Sequence, residues 1–194
     1  MIPKHRTRTR YDALQISLHW ATVILIAWLA WLGLTMTDLP LSPDKVRTYA
    51  LHKSLGLTVL ALTVLRLLWR GMARTPPALP VPRWQVLAAK LGHLGLYLLL
   101  LAVPLSGWLY NSASNFPLQW FGLFNLPALV DGDKATKALA HELHETLFWA
   151  LMALTAIHAI AALWHHYAKR DDTLRRMLPM PVRRTTKPDE ESRA

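Results

Sequence analysis

No cysteine occurs anywhere in the 194 residues. That absence excludes structural disulfides, thiolate-held iron–sulfur clusters and covalent haem attachment through C-x-x-C-H. Acids are scarce too: 12 Asp and Glu stand against 22 Lys and Arg, a net charge of +10. An excess of that size invites a nucleic-acid reading. The charges, however, avoid long apolar blocks and gather in particular connections, so no nucleic-acid partner is expected. The chain is 53% hydrophobic, too apolar for an ordinary soluble domain and long enough for about four membrane spans with short loops. The basic opening Lys4–Arg10 runs into a full-length apolar stretch with no small-residue cleavage site before it, so no cleavable signal peptide is expected.

The apolar blocks predict an all-α integral membrane fold, a bundle of four transmembrane helices over about 13–37, 51–69, 86–110 and 141–168. The first is an uncharged run from Ala13 to Thr37. The second carries only Lys53 and Arg66, near its ends, where long cationic side chains snorkel to the headgroups. The third belongs to an uncharged run from Leu91 to Val130, too long for one helix; Asn111, Asn115 and Pro117 mark its stop, and Pro104 predicts a kink. The fourth carries no formal charge from Thr146 to Ala168. One domain, 13–179, is expected between a basic N-terminal arm (1–12) and a polar, disordered tail (180–194). Thr75–Pro82 (TPPALPVP) reads as a stiff linker between spans two and three.

Cation placement predicts orientation. The arm carries Lys4, Arg6, Arg8 and Arg10, and the second connection with its flanks carries Arg66, Arg70, Arg74, Arg83 and Lys90 without an acid. Connections one and three instead mix Lys45, Arg47, Lys53, Lys134 and Lys137 with Asp38, Asp44, Asp131 and Asp133. Both termini are therefore expected in the cytoplasm, with connections one and three outside.

Imidazoles inside apolar spans are costly unless something binds them. His144 and His158 are 14 residues apart, about 3.9 turns and roughly 21 Å of rise, so both leave one face of one helix at opposite depths. The orientation places His19 at the inner end of span one and His52 at the outer end of span two. Depth then yields two pairs, His19 with His158 and His52 with His144. A bis-histidine pair fills both axial positions of a low-spin haem iron, leaves no open coordination site, and suits electron transfer. Two haem b groups, at two depths, are expected. His141 is three residues from His144 and about 60° around the helix, out of phase with His158. HELHE at 141–145 lacks the second histidine that a zinc-protease H-E-x-x-H helix needs. A proton or metal transporter is the alternative reading.

Other residues have two readings each. Gly33 lies 14 residues after His19, Gly107 lies 14 after His93, and Gly56 lies one turn past His52; they make room either for a porphyrin plate or for close helix packing. His93, without an obvious partner, is a propionate or quinone contact or a satisfied interior residue. His165 and His166 are interfacial or, for His165, a quinone contact. Arg66 and Arg70 are propionate partners or positive-inside anchors. The nine Trp are expected in interfacial belts and bundle packing.

Seven segments together resemble the bacterial cytochrome b561 family: YDALQISLHW at 11–20, LHKSLG at 51–56, VLRLLWR at 64–70, GHLGLY at 92–97, HETL at 144–147, HAIAALWHHY at 158–167 and DTLRRMLP at 172–179. The resemblance covers about residues 11–179. It implies a four-helix, di-haem cytochrome of the inner membrane, in contact with lipid and exchanging electrons with the quinone pool, ubiquinone being the expected acceptor. It also implies His19, His52, His144 and His158 as haem ligands. The family includes a superoxide oxidase type and resembles cytochrome subunits that serve hydrogenases and other dehydrogenases. The absence of an extra span or soluble domain favours oxidation of periplasmic superoxide over service to a partner dehydrogenase.

Overall fold

The computed structural model describes residues 10–73, 75–77, 79 and 81–179. The expected character of the arm up to residue 9 and of the tail from 180 lies outside the described residues. Four helices dominate: α1 (Ala13–Thr35), α2 (Pro43–Met72), α3 (Arg83–Ala113) and α4 (Lys134–Tyr167). Each is long and apolar enough to cross a membrane. Large apolar side chains such as Ile24, Trp31, Leu68, Leu98 and Ile160 stand exposed around the bundle, as a lipid solvent permits.

Helices α2 and α4 start well ahead of their apolar runs because capping side chains set where they begin. Asp12 accepts from the Gln15 N–H at 2.8 Å and starts α1. Ser42 caps α2, with Pro43 at the first helical position, eight residues ahead of Leu51. Asp133 accepts from the Thr136 N–H at 2.9 Å and starts α4 seven residues ahead of His141. Its carboxyl sits below the usual carboxylate range because of the Thr136 hydrogen bonds. Helix α3 reaches Ala113 and stops where Asn115 turns into the left-handed region at φ 57°.

One element breaks the all-helical pattern. Between α3 and α4, β1 (Leu118–Trp120) pairs antiparallel with β2 (Phe124–Leu126), Trp120 opposite Phe124. Phe121 and Gly122 both have positive φ, and the Leu123 N–H donates to the Trp120 carbonyl at 2.9 Å, the backbone arrangement of a tight hairpin turn.

Helix α1 packs mainly on α2, α3 packs mainly on α4, and α2 joins the two pairs through α3. The buried centre is formed by Val59, Leu100 and Leu151, ringed by Leu25, Ile26, Leu29, Leu96, Leu99, Val103 and Met152. The end carrying residues 10 and 179 is called the terminal end below; the opposite end, with the α1–α2 and α3–α4 connections, is the loop end. At the terminal end, the Trp69 indole donates to Asp12 at 3.2 Å, that of Trp20 to the Met177 carbonyl at 2.7 Å, and Arg176 to the Pro77 carbonyl at 2.7 Å. Arg10 also donates to the Leu178 carbonyl. These bonds fold the segment after α4, which includes a 3-10 turn at Arg175–Met177, back under the bundle.

Candidate functional site

Each helix repeats its bundle-facing residue every seven positions, close to two turns, so the face drifts by only about 20° per step. The steps are His19, Ile26, Gly33 on α1; His52, Val59, Arg66 on α2; His93, Leu100, Gly107 on α3; and His144, Leu151, His158 on α4. Because alternate helices run in opposite directions, these residues form three layers. The apolar layer of Ile26, Val59, Leu100 and Leu151 is the packed centre described above. It separates a layer of two histidines and two glycines at the loop end from a layer of three histidines and Arg66 at the terminal end.

At the loop end, the His52 and His144 rings stand 6.5 Å apart, centre to centre, with an 82° interplanar angle. At the terminal end, His19 and His158 stand 6.4 Å apart at 76°. Two metal–imidazole bonds of roughly 2 Å each, plus about 1 Å from each nitrogen to its ring centre, span about 6 Å. Both pairs are therefore spaced for one metal atom between two imidazoles. Among the described residues no three or more of His, Cys, Asp and Glu gather around a bare ion. Each pair thus suits a ligand that brings its own in-plane donors.

The loop-end pair is built in detail. His144 Nδ1 lies 2.9 Å from the Val103 carbonyl oxygen and 3.1 Å from Ser106 Oγ. A carbonyl only accepts, so Nδ1 carries the proton and Nε2 is the free acceptor, as a metal-binding histidine requires. A Cβ on Gly107 would stand 3.0 Å from His144 Cε1, and one on Gly33 3.2 Å from His52 Cε1. The two glycines therefore make room for the imidazoles of a neighbouring helix, a reason neither of the sequence readings contained. Gly56 has nothing within 4 Å of such a Cβ and opens on a cavity lined by His52, His144, Val59, Pro104, Phe148 and Leu151. Nδ1 of His52 is buried without a hydrogen-bond partner, a costly state for a ring that binds nothing.

The other sequence-selected residues fall as follows. His93, expected to lack a partner, packs against His158 with ring centres 5.4 Å apart. Arg66 lies over the Tyr97 ring at 5.5 Å and within electrostatic range of His19, His93 and His158. Arg70, one turn on, acts on His93 as well. His165 does not join the pair; its Nδ1 meets Asp171 Oδ2 at 2.5 Å. His141 packs on Tyr110 at 5.1 Å, apart from the cavity. With Tyr110, Ala138, Lys134 and Lys137 it lines a separate recess at the loop end. Sequence reasoning missed Ser106, the Val103 carbonyl and Asp171. A serine directly before a glycine in an apolar span was the one available signal.

A model of the prokaryotic cytochrome b561 family matches residues 10–180. The chain belongs to this family. It is 38% identical over 176 residues to cytochrome b561 homolog 2 of Escherichia coli K12, covering 89% of this chain and 93% of that protein. It is 36% identical over 180 residues to cytochrome b561 homolog 1 of the same organism, with 88% and 97% covered. A third relative, probable superoxide oxidase CybB of Yersinia pestis, is 32% identical over 176 residues, with 88% and 96% covered. Cytochromes b561 bind b-type haem and carry electrons across membranes; this one is a multi-pass bacterial membrane protein. The ring spacings, the cavity and the orphaned His52 nitrogen fit such a group.

Proposed function

We propose that this cytochrome b561 holds two b-type haems, with His52 and His144 as axial ligands at the loop end and His19 and His158 at the terminal end. The observation that carries this reading is the repeat of one ring separation, 6.5 and 6.4 Å, at two depths along α4. A bound haem with two imidazole ligands supplies a one-electron couple and no open coordination position. The chain's own groups do the rest. Val103 and Ser106 hold the proton of His144 on Nδ1, Gly33 and Gly107 admit the rings, and the apolar layer keeps water from between the pairs. Arg66 and Arg70 offer cationic partners for the carboxylates of the terminal-end group. The cation excess around the terminal end and the mixed charge of the loop-end connections support a cytoplasmic terminal end. There ubiquinone is the proposed acceptor, with His93 and His165 as the ring donors the axial pair leaves unused.

Superoxide is the proposed donor, from the loop end, and the recess near His144 favours it. Lys45 is occupied by the Thr37 and Leu39 carbonyls, Lys53 by Asn111 and Pro117, and Arg47 by Asp44. Lys134 and Lys137 instead share a recess with Tyr110 and His141, three residues above His144, and would concentrate a small anion. The name of the Yersinia relative agrees. The alternative donor is a partner dehydrogenase.

Pyridine haemochrome quantitation of the purified protein tests the core of this reading. Two haems per chain are expected; none or one would overturn it and return the transporter reading.

A further inference from the structure

The bundle centre supplies a depth scale. Ala113, where α3 ends, lies 13 residues beyond Leu100, about 20 Å from the apolar layer and past the ~15 Å half-thickness of a bilayer's hydrocarbon. The chain then turns back. The Phe121 N–H donates to Ser54 Oγ at 3.0 Å, and Ser54 Oγ lies 3.3 Å from the Gln119 carbonyl. The Trp120 indole donates to Thr58 Oγ1 at 3.1 Å. Ser54 is only five residues from Val59, about 7–8 Å from the same layer. The hairpin turn therefore sits roughly 12 Å deeper than the end of the helix that leads to it.

We propose that the tip of this hairpin, residues 120–124, is a re-entrant element seated among the acyl chains of the loop-end leaflet. Non-helical backbone is tolerated at that depth only where its polar groups are satisfied internally. Here the β1–β2 ladder serves the strands, the turn bond takes the Leu123 N–H, and Ser54 takes the Phe121 N–H and the Gln119 carbonyl. No charged residue occurs from Ser112 to Val130, so no formal charge in the segment resists burial in lipid. Phe121, Leu123 and Phe124 are 48%, 73% and 55% exposed, and they continue the exposed apolar surface of the spans, which lipid covers. Gln119 and Asn125, paired across the strands, are the polar side chains beside the tip. They form the face opposite Leu118 and Trp120, the latter bonded to α2. The hairpin thereby covers the outer flank of α2 beside His52 and pins the α3–α4 connection to the bilayer.

Because the chain has no cysteine, a single introduced thiol reports one position. Leu123→Cys, Asn125→Cys and, in the α1–α2 connection, Leu41→Cys (94% exposed) would each be spin-labelled and reconstituted in phosphatidylcholine vesicles. Collision with oxygen, which concentrates in hydrocarbon, is compared with collision with a water-soluble nickel chelate. The expected oxygen-to-nickel ratio at 123 is several-fold above that at 41, with 125 between them. A ratio at 123 equal to that at 41 places the hairpin in water and overturns the proposal. Shielding of 123 from both agents, with spin–spin broadening that survives dilution in lipid, overturns it in favour of a second copy of the chain. Phe121→Cys repeats the measurement should one variant assemble poorly, and the haem spectrum reports assembly in each case.

Discussion

His144 directs its Nδ1 at the carbonyl oxygen of Val103, 2.9 Å away on the facing helix. The bond sets the tautomer of a histidine that lines the cavity shared with His52. It also explains a local feature of α3: within five residues, Val103, Pro104, Ser106 and Gly107 supply an acceptor, a cavity wall, a hydroxyl and a bare backbone. Partners of this kind orient a metal-binding imidazole and raise its basicity.

Alanine in place of His52 or His144 is expected to remove the loop-end haem and leave the other, lowering haem content from two to one per chain. His19→Ala or His158→Ala should do the reverse. Haemochrome assays on each variant, with the reduced spectrum identifying the survivor, check this. Loss of both haems from every variant would show that the sites assemble as one unit.

Gly107→Ala forces a methyl to within 3.0 Å of the His144 ring, overpacking that costs about 1–3 kcal/mol. Haem at the loop end should bind more weakly, by roughly ten- to a hundredfold if all of that cost falls on the haem-bound state. Gly33→Ala, at 3.2 Å from His52, should act in the same direction. Gly95→Ala would meet Leu154, a flexible side chain away from the ligand rings, and should leave haem content unchanged. Haem titration of the three variants separates the effects.

Superoxide delivered to the detergent-solubilised protein with ubiquinone should reduce the haems quickly, and rising salt should slow the reaction. Lys134→Glu with Lys137→Glu should slow it further and flatten the salt dependence, leaving haem content intact. Reduction only when a co-purifying dehydrogenase is added would instead assign the chain as a partner-fed subunit.

Asp171 gives a pH signature. Burial pushes its carboxyl upward, but hydrogen bonds from His165 and Thr173 outweigh this and hold it below the usual range. A depressed folded value stabilises the folded state fully above the unfolded pKa of about 3.9, and the gain fades as pH falls through the folded value. Asp171→Asn should therefore cost about 1.5 kcal/mol near neutrality and progressively less in acid. Melting temperatures of both proteins at neutral pH and near pH ~3 test this; a gap that stays constant or widens in acid would contradict it.

The four spans and the level of each paired histidine along the bundle were legible in the sequence because helix geometry is local. A 14-residue step returns a side chain to nearly the same face about 21 Å away whatever surrounds it, so His144 and His158 declared their depths unaided. Helix ends were less legible, since Ser42 and Asp133 carry α2 and α4 through polar residues that hydropathy does not register. Tertiary structure alone decided what lies across from each face. Gly107 meets His144, Gly33 meets His52, and His93 meets His158 because α3 packs on α4 and α1 on α2. The Asp171 contact and the hairpin's descent to Ser54 likewise depend on chain reversals at Arg170 and Phe121, both at positive φ, where a residue's own preference gives no warning of the turn.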